Sequence, residues 1–252
     1  MKMKVSIVTT CFNREKTIRD TIESVLSQSY PNIEYIVVDG ASTDGTMSIV
    51  NEYRTRLSDV VSEKDSGMYE AINKGIRRCT GDIVGLLHSD DVLYSADTIS
   101  HVVDYFRSKA SDLIYGNGIF VDSANWDKIV RDWVSGPFAV SRLYFGWLPL
   151  HPTVFIRREW FDVLGMYNES YKISADSDFL LRYLSSDYLR INYIDEYIVK
   201  MRMGGLSTDV SKTKQKWNED IRLYKAHGMN PYSSLFCKVA SKVPQFIKAK
   251  LF

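Results

Sequence analysis

The chain has 252 residues, 45% of them hydrophobic and 25% charged, with a formal net charge of +1. That composition suits a globular protein with room for one large α/β domain and an appendage. The near-neutral balance argues against nucleic acid as a partner, because such binding leaves a basic surplus.

Met1-Lys2-Met3-Lys4 followed by the apolar run to Phe12 looks superficially like a signal peptide. The run is short, holds two threonines and leads into Asn13-Arg14-Glu15 without a small-residue cleavage site, so it predicts a first strand over Val5 to Thr10. Ile18, Ile22, Val25 and Leu26 recur at helical spacing and end before the turn residues Ser29, Pro31 and Asn32. Glu34 to Val38 predicts a second strand, closed by the turn-rich Asp39-Gly40-Ala41-Ser42-Thr43-Asp44-Gly45 and a helix opening near Thr46. A short strand over Asp59 to Ser62 is followed by a helix carrying Met68, Ala71, Ile72 and Ile76. The alternation of strand and helix predicts a mainly parallel sheet with crossover helices.

The fourth strand begins at Ile83, and its apolar run ends abruptly in Ser89-Asp90-Asp91. In an open α/β sheet, chemistry gathers at the carboxyl ends of such strands. Two carboxylates there suit a hard divalent cation, although a polar turn with an Asp cap reads the same way. Beyond a helix through Ile99, Val102, Val103 and Phe106 the pattern becomes less regular. Strands are expected over Leu113 to Val121 and Ile129 to Val134, and helices over Arg157 to Leu164 and Asp176 to Leu184. No uncharged apolar stretch reaches the roughly 18 to 20 residues needed to span a bilayer. Cys11, Cys79 and Cys237 are odd in number and far apart, which predicts a reducing compartment without disulfides.

Three motifs in order carry a resemblance: Ser6-Ile7-Val8-Thr9-Thr10-Cys11-Phe12-Asn13, Val37-Val38-Asp39-Gly40-Ala41-Ser42-Thr43-Asp44-Gly45-Thr46 and Leu87-His88-Ser89-Asp90-Asp91. Together they resemble family 2 glycosyltransferases of the GT-A fold, over about residues 4 to 210. The stretch Asp65 to Gly75 is similar to a subgroup from bacterial surface-polysaccharide synthesis, of the colanic-acid type. Ala175-Asp176-Ser177-Asp178 resembles the family's acidic catalytic motif, and Gly204-Gly205-Leu206-Ser207 its late glycine loop.

The resemblance implies transfer of a sugar from a UDP- or GDP-linked donor to an acceptor hydroxyl, with inversion. It implies donor contacts from Thr10, Phe12, Asp39, Asp65, Lys74, Ser89 and Asp90, with Asp39 against the base. Asp91, shared with Asp90, would hold Mn2+ or Mg2+, and His88 stands where many members have Asp. Asp176 would be the base, since in-line attack needs one carboxylate to take the acceptor's proton. Asp178, two residues on, points elsewhere on a helix. His151, Gly204 and Gly205 are expected near acceptor or diphosphate, and Trp126, Trp133, Trp147 and Tyr144 fall in the half where acceptor recognition is expected.

The expected organisation is a GT-A domain over 1–229, with a nucleotide-binding half to about 110 and an acceptor half over 111–229. Residues 230–252 form a basic amphipathic tail, with Lys238, Lys242, Lys248 and Lys250 and no acidic residue from Asn230 onward. Such a tail fits either a helix docked on the core or peripheral contact with an anionic membrane. The partners expected are a nucleotide sugar and a glycan or lipid-linked glycan, and the expected location is cytoplasmic, either free or at the inner face of the cell membrane. Rival readings are a non-catalytic sugar-nucleotide scaffold, which His88 permits, and a nucleotidyltransferase. The latter is disfavoured because Thr9 to Lys16 lacks the glycines of a triphosphate loop.

Overall fold

A computed structural model describes residues 3–204, 212–241 and 244–245. The first half alternates β1 (Val5–Cys11), α1 (Ile18–Leu26), β2 (Ile33–Asp39), α2 (Thr46–Glu52), β3 (Asp59–Ser62), α3 (Met68–Arg78) and β4 (Ile83–Leu86). Strands β3, β2, β1 and β4 lie side by side in that order, all parallel. Their residues are apolar in unbroken runs because both faces are covered. Ile7 and Val8, Val37 and Val38, and Ile83 and Val84 send successive side chains into two different cores. One core packs under α3, and the other holds Ile18, Ile22 and Val25 of α1.

The second half continues the same sheet. It comprises β5 (Val92–Leu93), α4 (Thr98–Lys109), β6 (Leu113–Val121), β7 (Ile129–Trp133), α5 (Val140–Leu143), β8 (Phe155–Arg157), α6 (Trp160–Leu164), α7 (Ala175–Leu184) and β9 (Ile191–Arg202). Two helices follow, α8 (Thr213–Ala226) and α9 (Pro231–Ala240). Beyond β4 the sheet runs β8, β6, β9, β5, with β7 on β6. Here β8 enters antiparallel between β4 and β6, while β6 and β9 are parallel. The parallel register of the first half thus passes into a mixed sheet in the second.

Two expectations are corrected. The helix read over Arg157 to Leu164 starts only at Trp160, because Phe155–Arg157 forms β8. Ile156 lies opposite both Val84 and Leu113, and filling that slot between two strands outweighs local helical spacing. The twelve-residue β9 was not legible at all. Its Asp195, Glu196 and Lys200 break the alternation around buried Ile194, Ile198 and Val199. Gly205, Lys242, Val243, Phe246, Ile247, Lys248 and Lys250 lie outside the described residues.

The tail is docked where it is described. Asn230 caps α9 through Oδ1, accepting from the N–H groups of Tyr232 and Ser233. Lys238, one of the lysines of the basic tail, is turned inward onto Asp220 of α8, 3.0 Å from both carboxylate oxygens. No helix among the described residues is long and apolar enough to cross a membrane.

Candidate active site

A cavity of about 860 Å3 opens over the carboxyl ends of β1 and β4, walled on its other side by the second half of the chain. Thr10, Phe12, Asp65, Ser89, Asp90, Asp91, His151 and Asp176 all line it, so eight of the residues singled out above meet in one space.

The loop carrying Asp90 and Asp91 is held from below by α1. Thr17 Oγ1 donates to the carbonyl of Ser89 and Thr21 Oγ1 to that of Asp91, both at 2.8 Å. These two threonines are four residues apart and therefore share a helix face. Asp91 is buried, and its Oδ1 accepts a 3.2 Å bond from the N–H of Arg202, at the end of β9. Arg202 is itself steadied by an ion pair to Asp20 and by stacking 4.2 Å above Trp126. Burial, reinforced by the charge of Asp90, pushes the Asp91 carboxyl well above the usual range.

Asp91 Oδ2 is buried without a hydrogen-bond partner. A buried, unsatisfied carboxylate oxygen beside a second carboxylate fits a hard cation. No group of three or more His, Cys, Asp or Glu suited to a metal occurs among the described residues. The chain therefore offers a partial ligand set, the kind that Mg2+ completes with substrate phosphates and water.

On the first-strand side, Phe12 is 56% exposed on the cavity wall, an apolar face offered to whatever enters. Gly40 packs closely against two of these wall residues: a Cβ there would lie 2.8 Å from Asp65 Oδ2 and 3.5 Å from Phe12. Asp65 is half-buried and accepts from the N–H of Gly67, and burial raises its pKa. Asp39 does not reach the cavity wall. It is fully buried and organises its own loop, accepting from Ser42 N and Oγ, Ser62 Oγ and Cys11 Sγ. Lys74 is likewise absent from the wall, its ammonium held by Glu63 and Glu70 at 3.1 and 3.0 Å. Gly204 follows β9 with φ of 110°, the left-handed region open to glycine, and is not brought to the wall.

Asp176 stands in the first turn of α7, half-buried, with Oδ1 accepting from Ser177 N at 2.7 Å. The loop before it is fastened by α8. Glu219 accepts the N–H groups of Lys172, Ile173 and Ser174, and Ser174 Oγ donates to Asp220 at 2.9 Å. Asp178 faces away and is spent on Arg182 and His227, at 3.0 and 3.2 Å.

His88 lines the same cavity and feels the charges of both Asp90 and Asp176, although burial drives its pKa down. Its ring stacks on His151 at 6.0 Å. His151 shares a 2.6 Å hydrogen bond through Nε2 with Tyr167 and has a pKa of about 4, so its imidazole is neutral at ordinary pH.

The structure adds wall residues that motif reading passed over: Arg14, Arg131, Arg142, Lys216 and Lys238. Arg14 follows the first strand directly and was open to inference. The others come from β7, α5, α8 and α9, and nothing in their local sequence announces a shared cavity. Trp133 and Trp147 line the wall, with Arg131 and Arg142 stacked on them at 4.2 and 4.1 Å. Tyr144 points outward instead, 58% exposed.

The similarities to known proteins agree with this layout. A PGL/p-HBAD biosynthesis glycosyltransferase of Mycobacterium bovis (strain BCG / Pasteur 1173P2) is 32% identical over 210 residues, covering 81% of this chain and 79% of its own. The putative teichuronic acid biosynthesis glycosyltransferase TuaG of Bacillus subtilis is 43% identical over 93 residues, 36% of this chain and 37% of TuaG. Among solved structures, S. aureus TarS 1–349 in complex with UDP-GlcNAc superposes with a TM-score of 0.70 at 20% identity, over 88% of this chain and 65% of that one. Against the longer TarS chain, this protein spans 39% of the length. The mannosyltransferase PcManGT from Pyrobaculum calidifontis, in complex with GDP-Man and Mn2+, gives 0.67 at 17% identity, over 99% of this chain and 74% of that one. The fold they share is the GT-A type. Residues 6–173, from the first strand to the threshold of α7, match Glycosyl transferase family 2, and to that family this chain belongs.

Proposed function

We propose that the protein moves a sugar from a nucleoside-diphosphate donor to a hydroxyl of a cell-surface glycan or lipid-linked glycan, with inversion at the anomeric carbon. One observation carries the reading: Asp90 and Asp91 after β4, Asp176 on α7 and His88 line the same cavity. In this reading donor-side and base-side carboxylates share one space. A nucleotide sugar as donor is supported by the UDP-GlcNAc and GDP-Man bound to the structural relatives. A surface glycan as product is supported by the names of the Mycobacterium and Bacillus relatives.

In this reading Phe12 and Thr10 border the base, while Asp65 and Ser89 serve the polar groups of the donor. Asp91 and Asp90 would hold Mn2+ or Mg2+, which when bound offsets the charge gathering on the departing diphosphate. Arg14 adds a cation on the same flank. Asp176 accepts the proton of the attacking hydroxyl as the new glycosidic bond forms and the bond to phosphate breaks. Neutral His151, held by Tyr167 from behind the lining, adds an uncharged group to the same cavity. The indole faces of Trp133 and Trp147 offer stacking surface to an acceptor sugar.

The test is a panel of nucleotide sugars assayed for hydrolysis and thermal stabilisation, with and without Mn2+ or Mg2+. One donor should raise the melting temperature and be turned over only with metal. Asp176→Asn should keep that stabilisation and lose turnover by about a hundredfold or more. Saturable binding with no turnover by the wild type would replace the transferase with a sugar-nucleotide scaffold.

A further inference from the structure

Twelve large apolar side chains are exposed among the described residues, and six of them fall in two short segments. Val140, Tyr144 and Phe145 belong to α5 and the turn after it, and Tyr232, Phe236 and Val239 to α9. Single exposed apolar residues are ordinary, but a cluster from two segments calls for a cause.

The two segments are fastened side by side. Ser234 Oγ donates to the carbonyl of Tyr144 at 2.8 Å. Gly146, with φ of 70°, lies so close that a Cβ there would stand 2.3 Å from the Ser234 carbonyl oxygen. On α9, Ser234 and Lys238 are four apart and face inward, onto this turn and onto Asp220. Tyr232, Phe236 and Val239 recur at the i, i+4, i+7 spacing of the opposite face. Phe236 is 74% exposed and Tyr232 68%: the helix docks through Ser234, Lys238 and Leu235, the last packed on the core, and still leaves three large apolar side chains outward.

Charge identifies what covers it. No acidic residue occurs from Trp133 to Arg158, nor from Asn230 to the end, and Lys242, Lys248 and Lys250 follow the stripe in sequence. A second copy of these segments would bring no carboxylate to meet those lysines. An anionic lipid surface attracts them, at about 1 kcal/mol per basic residue near the headgroups. Tyr and Phe are suited to the boundary of headgroup and acyl chain. The patch also borders the acceptor half of the cavity, whose wall includes Gly146, Trp147, Lys238 and Ser241.

We propose that α9 and residues 140–145 form a single membrane-binding face, which seats the protein on an anionic bilayer with the acceptor side of the cavity at the headgroups. This sharpens the tail contact expected from sequence into a two-segment surface. It concerns binding alone and stands apart from the transfer reading, because vesicle binding needs no donor.

The full chain is sedimented with vesicles of phosphatidylglycerol and phosphatidylcholine in equal parts, and with phosphatidylcholine alone. Wild type should pellet with the anionic vesicles and release as salt rises. Tyr232→Ser/Phe236→Ser should cut partitioning by about tenfold or more, since each ring removed forfeits its burial in lipid. Phe145→Ser should weaken it too, which a tail acting alone does not predict. Trp217→Ser, an exposed aromatic on α8, should leave it unchanged. Melting by circular dichroism checks that each variant is folded. The proposal fails if wild type ignores anionic vesicles, or if the α9 double variant pellets like wild type. It also fails if these substitutions instead abolish a concentration-dependent dimer of a protein that binds no vesicles.

Discussion

Removing the charge of Asp220 should loosen both the C-terminal helix and the catalytic loop. The Asp220 side chain is 1% exposed and accepts both oxygens' worth of Lys238 Nζ at 3.0 Å, with Ser174 Oγ at 2.9 Å. Asp220→Asn keeps the shape but leaves the Lys238 ammonium, itself only 15% exposed, facing a neutral amide. Breaking a buried pair from one side costs about 3 to 5 kcal/mol, because the remaining charge stays desolvated. Lys238→Met should cost a similar amount by stranding the carboxylate. The double variant buries neither charge and should cost far less than the sum, giving a coupling of about 2 kcal/mol or more. Urea unfolding of wild type, both single variants and the double variant measures this directly. Because Ser174 precedes the helix bearing Asp176, Asp220→Asn should also reduce donor turnover by about tenfold, through misplacement of the proposed base. Donor binding, which the proposal assigns to other residues, should change little. Single variants within about 0.5 kcal/mol of wild type, or a coupling near zero, would refute the reasoning.

The other expectations concern groups away from the cavity wall. Thr21→Val removes the hydroxyl under the Asp91 carbonyl at nearly constant volume, and should cost about 1 kcal/mol in stability. It should also weaken metal-dependent turnover more than metal-free donor binding, as read by titration. Asp178→Asn should destabilise the fold by severing Arg182 and His227, yet keep most of its turnover, in contrast to Asp176→Asn. Glu34 accepts from Lys4 Nζ, Ser6 Oγ, and Thr80 N and Oγ1, which hold its pKa at about 2 against an ordinary 4.5. A carboxylate depressed on folding contributes fully above about pH 4.5 and loses that contribution as pH falls toward 2, here about 3 kcal/mol. Unfolding followed from pH 6 to about 2 should show this fall in wild type, and Glu34→Gln should flatten it.

Much of the donor half was legible because its information is local. Turn residues close each strand, apolar positions repeat at 3.6 or run unbroken, and Ser89-Asp90-Asp91 interrupts the run at β4. The acceptor half resisted reading where distant strands compete for the same residues. Phe155 and Ile156 look like the approach to a helix until β4 and β6 are placed on either side. The site divides in the same way. Asp39 and Lys74 were named by motif alone, whereas their partners, Ser42 and Ser62 for the first and Glu63 and Glu70 for the second, are seen only in the tertiary structure.

The sequence by itself determined the α/β alternation, the strand-end carboxylates and the family. Each depends on residues adjacent in the chain or at a helical or strand period. Only the tertiary structure decided that β9 would carry the N–H of Arg202 to Asp91, and that His88 would stack on His151 in the cavity that Asp90 and Asp176 share. It also decided that Lys238 would turn inward while Phe236 turns out. Those outcomes depend on which faces are left to bury once the sheet is assembled, and no local window of sequence records that competition.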